Sequence, residues 1–168
     1  STVDISIELT AGWNWISFNV IPDDTLLNDL FSTINESGDF IAAQSGGLST
    51  NYGYSEDGSE FYGWAGSLGA LDPTQMYKIK MNAADTLTIT GTPVDVASTP
   101  ISLTSGWNWI GYLPQNPGDV ITALASVNES GAFIAAQSGG LSTNYGYSPE
   151  GEFYGWAGSL STLDPGNG

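Results

Sequence analysis

The sequence predicts a mainly β fold (β-rich α+β): two pseudo-twofold-related repeats, each antiparallel β with one short helix, sharing a central hairpin. Three observations lead there. Short runs of aromatic and β-branched residues alternate with Gly-rich turns. One block, FIAAQSGGLSTNYGYS, occurs unchanged at 40–55 and 133–148, and FYGWAGSL follows each copy at 61–68 and 153–160. An alternating hairpin sequence at 76–91 is present after the first copy and absent after the second. Residues 1–168 therefore read as one two-repeat module, with repeat one at 5–91, a connection at 92–100 and repeat two at 101–168.

Each repeat opens on a strand. Trp13-Asn14-Trp15-Ile16-Ser17-Phe18 follows a Gly turn, and 107–112 repeats it. Alternation sets Trp13 and Trp15 on one face and Ile16 and Phe18 on the other. Burial on both faces is expected, with both tryptophans in the core. A helix follows. Pro22-Asp23-Asp24 offers an N-cap, and Leu26, Leu27, Leu30, Phe31 and Ile34 share one face. In repeat two Asn116 is the expected cap, with Pro117 in the first turn and Val120, Ile121, Leu124 and Val127 as the stripe. The hairpin closes repeat one. Tyr77, Ile79 and Met81 alternate with Lys78 and Lys80, and 87–90 alternates ahead of Gly91. Either the chain is cut from a longer array, or this hairpin serves both repeats; its strands are expected to lie centrally and to pair with both.

Charge excludes several partners. Eighteen Asp and Glu stand against two Lys, with no Arg or His, for a net charge of −16. Lys78 and Lys80 cannot make a basic patch, so nucleic acid and anionic membrane surfaces are excluded as partners. A neutral, cationic or calcium-bridged partner suits such a surface, and so does simple solubility in salt. The chain has no Cys, hence no disulfide framework or zinc thiolate site. No apolar run approaches the roughly twenty residues of a membrane span. The opening STVDISIEL has neither a basic n-region nor an apolar h-region, so no signal peptide is expected there.

The two copies can be read against each other. Between 35–55 and 128–148 the only difference is Asp39, which becomes Ala132, whereas the helices keep little beyond their apolar stripe. Packing explains the survival of Phe40, Ile41 and Leu48, but not of Gln44, Ser45, Ser49, Thr50 and Asn51. Three accounts compete: gene conversion, a backbone that Gly46, Gly47 and Gly53 fix through φ > 0 turns, and a ligand site present twice.

Catalysis is hard to build from these residues. Without His or Cys the commonest general base and the best nucleophile are missing, and no enzyme is expected. A carboxylate pair remains, and Glu60 with Glu152 adjoins the aromatic FYGW strand. No cofactor is expected, with calcium the one possibility, at Asp57, Glu60, Glu150 and Glu152. Yet Ser55-Glu56-Asp57-Gly58-Ser59-Glu60 lacks the spacing of a calcium loop and suits a solvated turn. The aromatics carry more chemistry. A Tyr or Trp face beside amides matches the apolar face and polar rim of a sugar ring. Two equivalent sites are expected. Gln44, Asn51, Tyr52, Tyr54, Tyr62 and Trp64 would line one, and Gln137, Asn144, Tyr145, Tyr147, Tyr154 and Trp156 the other. Trp64 also suits a core position.

LTAGWNWISFNV and ISLTSGWNWIGYLP, with WAGSL, MYKIK and DTLTITGTPVD, resemble repeat segments of large secreted or surface-anchored bacterial proteins of Bacteroidetes type. These carry a Gly-Trp-Asn-(Trp/Leu)-Ile strand and recur beside catalytic or adhesive domains. The resemblance implies an extracellular location and an accessory role beside other domains of a larger secreted protein, and assigns no residue a role. The expected function is non-catalytic, lectin-like binding of a neutral polysaccharide or glycan at two sites. The rival is a structural spacer or adhesin repeat with no small-molecule site. Exposure of the repeated Tyr and Gln side chains around a groove would favour the first, and their burial between the copies the second.

Overall fold

The computed structural model describes residues 1–24, 26–44, 49–54, 57, 61–127, 130–137, 142–147 and 153–168, with backbone alone at 49–54, 61–62, 142–147, 153–154 and 157. The chain is mainly β and its ladders are antiparallel. In order it forms β1 (Val3–Leu9), β2 (Gly12–Ile16), β3 (Val20–Pro22), α1 (Leu27–Leu30), β4 (Gly38–Ala43), β5 (Ser49–Tyr54), β6 (Phe61–Gly66), β7 (Tyr77–Met81) and β8 (Asp85–Pro93) in repeat one. Repeat two forms β9 (Gly118–Asp119), α2 (Val120–Ala123), β10 (Phe133–Ala135), β11 (Ser142–Tyr147), β12 (Phe153–Gly158) and β13 (Thr162–Leu163).

Repeat one holds a five-stranded sheet, β2-β7-β4-β5-β6, and a three-stranded sheet, β1-β8-β3. The β7–β8 hairpin supplies the middle strand of the second sheet and an interior strand of the first, between β2 and β4. Its ladders join repeat-one strands alone, which corrects the expectation of a hairpin shared by both repeats. The edge of β2 that faces repeat two is already occupied by other groups, described below. Between the sheets, Ile16, Phe18, Val20, Phe31, Ile34, Ile41, Tyr77, Ile79, Leu87 and Ile89 are buried in one cluster. Period-two alternation in β7 puts Tyr77, Ile79 and Met81 into it and turns Lys78 and Lys80 outward.

The helices are shorter than the stripe suggests. Each is a single turn continued by a 3-10 turn. The N-cap of α1 is Leu26, which is exposed, and Asp24 Oδ1 accepts its N–H at 2.9 Å. The cap of α2 is Asp119, not Asn116, and its carboxylate accepts from Thr122 N–H at 3.1 Å. Ile121, expected in the stripe, is exposed. In repeat one Leu27, Leu30, Phe31 and Ile34 are buried all the same, and Leu26, ahead of the helix, is left in water.

The turn before β2 explains its motif. Asn14 Oδ1 accepts Thr10 N–H at 2.9 Å, and its Nδ2 donates to the Thr10 and Gly12 carbonyls. Asn108 repeats these bonds with Thr104 and Gly106. Gly12 and Gly106 have φ of 91° and 98°, where a side chain is strained. Thr-x-Gly-Trp-Asn is therefore a self-closed turn that launches a strand. It also fixes the phase of that strand, with Asn14 and Ile16 buried and Trp13 outward. Trp13 and Trp15 are not core residues, because the face they share looks away from the β1-β8-β3 sheet.

The glycine that opens β4 serves a different need. A Cβ on Gly38 would lie 2.5 Å from Trp64 Cζ2, and one on Gly131 2.7 Å from Trp156 Cη2. Ser37, beside it, donates its hydroxyl to Asp85. With Thr86 N–H, that bond holds the Asp85 carboxyl below its ordinary range. A depressed carboxylate pKa contributes stability at neutral pH that is lost as pH falls through the folded value.

Gly38→Ala is predicted to lose about 1–3 kcal/mol by overpacking the Trp64 ring. Gly69→Ala, where an added methyl meets nothing within 4 Å, is predicted to stay within about 0.5 kcal/mol of the parent. Urea unfolding of the two variants checks both values.

Candidate functional site

The repeated polar block has a physical use at the seam between the repeats. The outer edge of β2 carries the Trp13 carbonyl and the Trp15 N–H and carbonyl. Gln137 of repeat two fits its amide onto that edge: Oε1 accepts Trp15 N–H at 2.6 Å and Nε2 donates to the Trp13 carbonyl at 2.8 Å. Gln44 of repeat one does the same to repeat two. Its Oε1 accepts Trp109 N–H at 2.6 Å, and its Nε2 donates to the Trp107 carbonyl at 2.7 Å. A primary amide presents a donor and an acceptor side by side, as a peptide group of a neighbouring strand would.

The same edge continues onto backbone. Gly168 N–H donates to the Trp15 carbonyl at 3.1 Å, and Ser17 N–H to the Gly166 carbonyl at 3.1 Å. In the other direction Met76 N–H donates to the Trp109 carbonyl at 3.2 Å, and Gly111 N–H to the Thr74 carbonyl at 2.9 Å. Asp72 Oδ1 accepts both Thr74 N–H and its hydroxyl, which fixes the turn that delivers this segment. Each repeat thus completes the strand edge of the other. Buried side chains seal the seam: Asn19 Nδ2 donates to the Pro114 carbonyl, and Ser17 Oγ to the Asn167 carbonyl.

One cation sits across the seam. Lys78 Nζ lies 4.7 Å from the Trp15 ring centre and 4.3 Å from that of Trp109. Two aromatic faces on a partly buried ammonium are worth about 1–2 kcal/mol. The other cation, Lys80, pairs with Asp39 at 3.1 Å, and both groups are more than a third exposed. That pair is worth about 0–1 kcal/mol. Lys78 is therefore the charge that matters to the association of the repeats.

Trp64 and Trp156, expected to line a ligand site, are buried at 4% and 6% exposure. Trp64 packs edge-on to Phe31 at 5.1 Å, and its backbone is held by Asn28, whose Oδ1 accepts Trp64 N–H at 2.8 Å. Gln44 and Gln137 are engaged in the seam. Asn51, Tyr52, Tyr54 and Tyr62, with Asn144, Tyr145, Tyr147 and Tyr154, lie on described strands, but their side chains fall outside the described residues. Backbone pairing sets Tyr52 opposite Trp64 and Tyr145 opposite Trp156. Of the calcium candidates, Asp57 is exposed in a turn, while Glu60, Glu150 and Glu152 lie outside the described residues. Among the described residues no cluster of three acidic side chains is placed to hold a metal.

Among the residues with described side chains, the exposed aromatics are Trp13, Trp107 and Phe133. Trp13 packs edge-to-face on Phe40 at 5.9 Å, and Trp107 on Phe133 at 5.7 Å, with interplanar angles of 82° and 83°. Trp13 is 47% exposed and Trp107 70%. The signal for them was the period of Trp-Asn-Trp-Ile itself, once Ile16 and Asn14 are taken as the inward pair. A cleft of about 220 Å³ lies between Thr10, Asn14, Trp15, Gln137 and Gly168. It is below the roughly 300–1,000 Å³ of small-molecule sites.

Comparison with known protein families, curated proteins and solved structures finds no match in any of the three.

Gln44→Ala and Gln137→Ala are each predicted to cost about 1–2 kcal/mol, from two hydrogen bonds at about 1 kcal/mol apiece. Gln44→Glu keeps the acceptor for Trp109 N–H but sets a carboxylate against the Trp107 carbonyl. It is predicted to be worse than alanine at pH 7 and to recover below about pH 4, when the acid regains a donor. Denaturant titrations at the two pH values, each against the parent, check this ordering.

Proposed function

We propose that the chain is a non-catalytic structural module, a spacer or adhesin repeat of a secreted or cell-surface protein, in which two pseudo-twofold-related repeats are locked into one stiff unit. The observation that carries this reading is the reciprocal amide clamp. Gln44 and Gln137 are spent on the backbone of the opposite repeat. Their identity in both copies then has a packing cause, and the residues around them need not be a ligand surface. The net charge of −16 suits a solvated extracellular surface that resists self-association. The resemblance of the Gly-Trp-Asn-Trp-Ile strands to repeats of surface-anchored bacterial proteins points the same way.

A second reading has one observation in its favour. Trp13 with Phe40, and Trp107 with Phe133, offer exposed edge-to-face aromatic pairs, and such faces stack on the C–H faces of neutral sugars. Two such pairs on one chain would gain by avidity on a polymer.

Affinity electrophoresis through neutral polysaccharides, with and without calcium, separates the two. The structural reading predicts unchanged mobility in every gel. Retardation that disappears in the Trp13→Ala, Trp107→Ala double variant would contradict it and establish glycan binding at the aromatic pairs.

A further inference from the structure

The two sheets of repeat one carry opposite charge on their outer faces. On β1, Asp4 and Glu8 alternate with the inward Ile5, Ile7 and Leu9, and accept hydrogen bonds from the hydroxyls of Thr90 and Thr86 on β8. The strands of that sheet, β1, β8 and β3, hold no lysine. Strands β2, β7 and β4 show the reverse. They hold both lysines of the chain and one carboxylate, Asp39. A chain of charge −16 is thus net positive across these three strands.

The same face carries the rings. Trp13, Lys80 and Phe40 stand abreast on β2, β7 and β4, and Trp15, Lys78 and Ala42 form the next row. Trp109, across the seam, extends the second row, with its ring centre 4.3 Å from Lys78 Nζ. Each lysine therefore has an aromatic residue on either side. The two differ in what holds them. Lys78 is engaged by two indoles. Lys80 is exposed and meets an exposed carboxylate, Asp39, at 3.1 Å. Water and salt weaken such a pair, so the Lys80 ammonium exchanges one carboxylate for another at little cost.

A ligand that suits this face needs an apolar surface for Trp13 and Phe40 and an anion for Lys80. A uronic acid has both. Its ring presents C–H groups to an indole, and its carboxylate stands at the rim, within reach of an ammonium. Nucleic acid, with a phosphate at every nucleotide, needs a basic patch that two lysines cannot make. A sugar acid needs one ammonium beside one ring. The carboxylates elsewhere on the chain are screened beyond about 8 Å at physiological salt. We infer that the outer face of β2, β7 and β4 binds a uronate-bearing polysaccharide, with sugar C–H faces on Trp13 and Phe40 and a carboxylate on Lys80 Nζ. Asp39 competes with that carboxylate for the same ammonium. The inference rests on the glycan reading given second above, and narrows its ligand from a neutral sugar to an acidic one.

The test is calorimetric titration of the intact protein at about 0.15 M salt, where distant charges are screened. The probes are tetramers of galacturonate and of mannuronate, each beside its carboxyl-reduced form, and tetraglutamate as an acidic peptide. Expected is saturable binding of a uronate tetramer about tenfold tighter than its reduced form, the worth of one charge-assisted hydrogen bond. Lys80→Gln is expected to bring the uronate down to the level of the reduced form, and Trp13→Ala to weaken both. Asp39→Asn is expected to tighten the uronate alone, a gain that loss of structure cannot mimic. Equal binding of uronate and reduced forms overturns the inference and leaves the glycan reading standing. Absence of binding by every sugar overturns both. Tetraglutamate that binds as tightly as the uronates overturns the sugar in favour of an acidic peptide. Uronate binding that neither Lys80→Gln nor Asp39→Asn changes places the anion elsewhere and overturns the inference as well.

Discussion

An edge strand cannot leave its peptide groups unsatisfied against another part of the molecule, and here one side-chain amide per repeat meets that need. The amide of Gln137 does for β2 what a neighbouring strand would do, and Gln44 does the same for residues 107–109. Much of the rest follows from it. The clamp requires β4 and β10 to end beside the opposite repeat, and it requires residues 13–15 and 107–109 to be extended, which the Thr-x-Gly-Trp-Asn turn secures. It also brings Trp15 and Trp109 to the two sides of Lys78. The seam is then closed by short backbone segments, 74–76 and 166–168, and not by a continuous sheet.

Much of the fold was legible in the sequence where the pattern was local. Alternation at Tyr77–Met81 gave both the strand and its inward face. The helices were over-read, because Leu26 and Ile121 keep helical spacing without a partner to bury them. The tryptophans of β2 were misassigned for a related reason. Composition places a Trp in a core, but the turn fixed by Asn14 sets the phase of the strand, and phase outranks hydrophobicity.

The polar block was legible as a puzzle and not as a solution. Two identical glutamines in a Gly-rich setting suit a ligand surface and a side-chain clamp equally well. Only long-range geometry, Gln44 to Trp109 and Gln137 to Trp15, separates them. The one substitution in the repeated region proved informative in the same way. Asp39 pairs with Lys80 of β7, and Ala132 stands at its place in repeat two. Identical sequences in the two repeats take different burial: Ile16 and Ile41 are buried against the β7–β8 hairpin, whereas Ile110 and Ile134 are partly exposed. This contrast within one chain shows how far burial depends on neighbours and how little on the segment itself.

The clamp can be read at two amides. Trp15 N–H and Trp109 N–H lie on outer strand edges and, among the described residues, have a glutamine oxygen as acceptor. Native-state hydrogen exchange followed by NMR measures their protection directly. The account predicts that both exchange as slowly as the ladder amides of β2 and β7, with free energies of opening close to that of global unfolding. Exchange at either amide near the rate of an unstructured peptide would contradict it, because the two repeats would then not be joined at their strand edges.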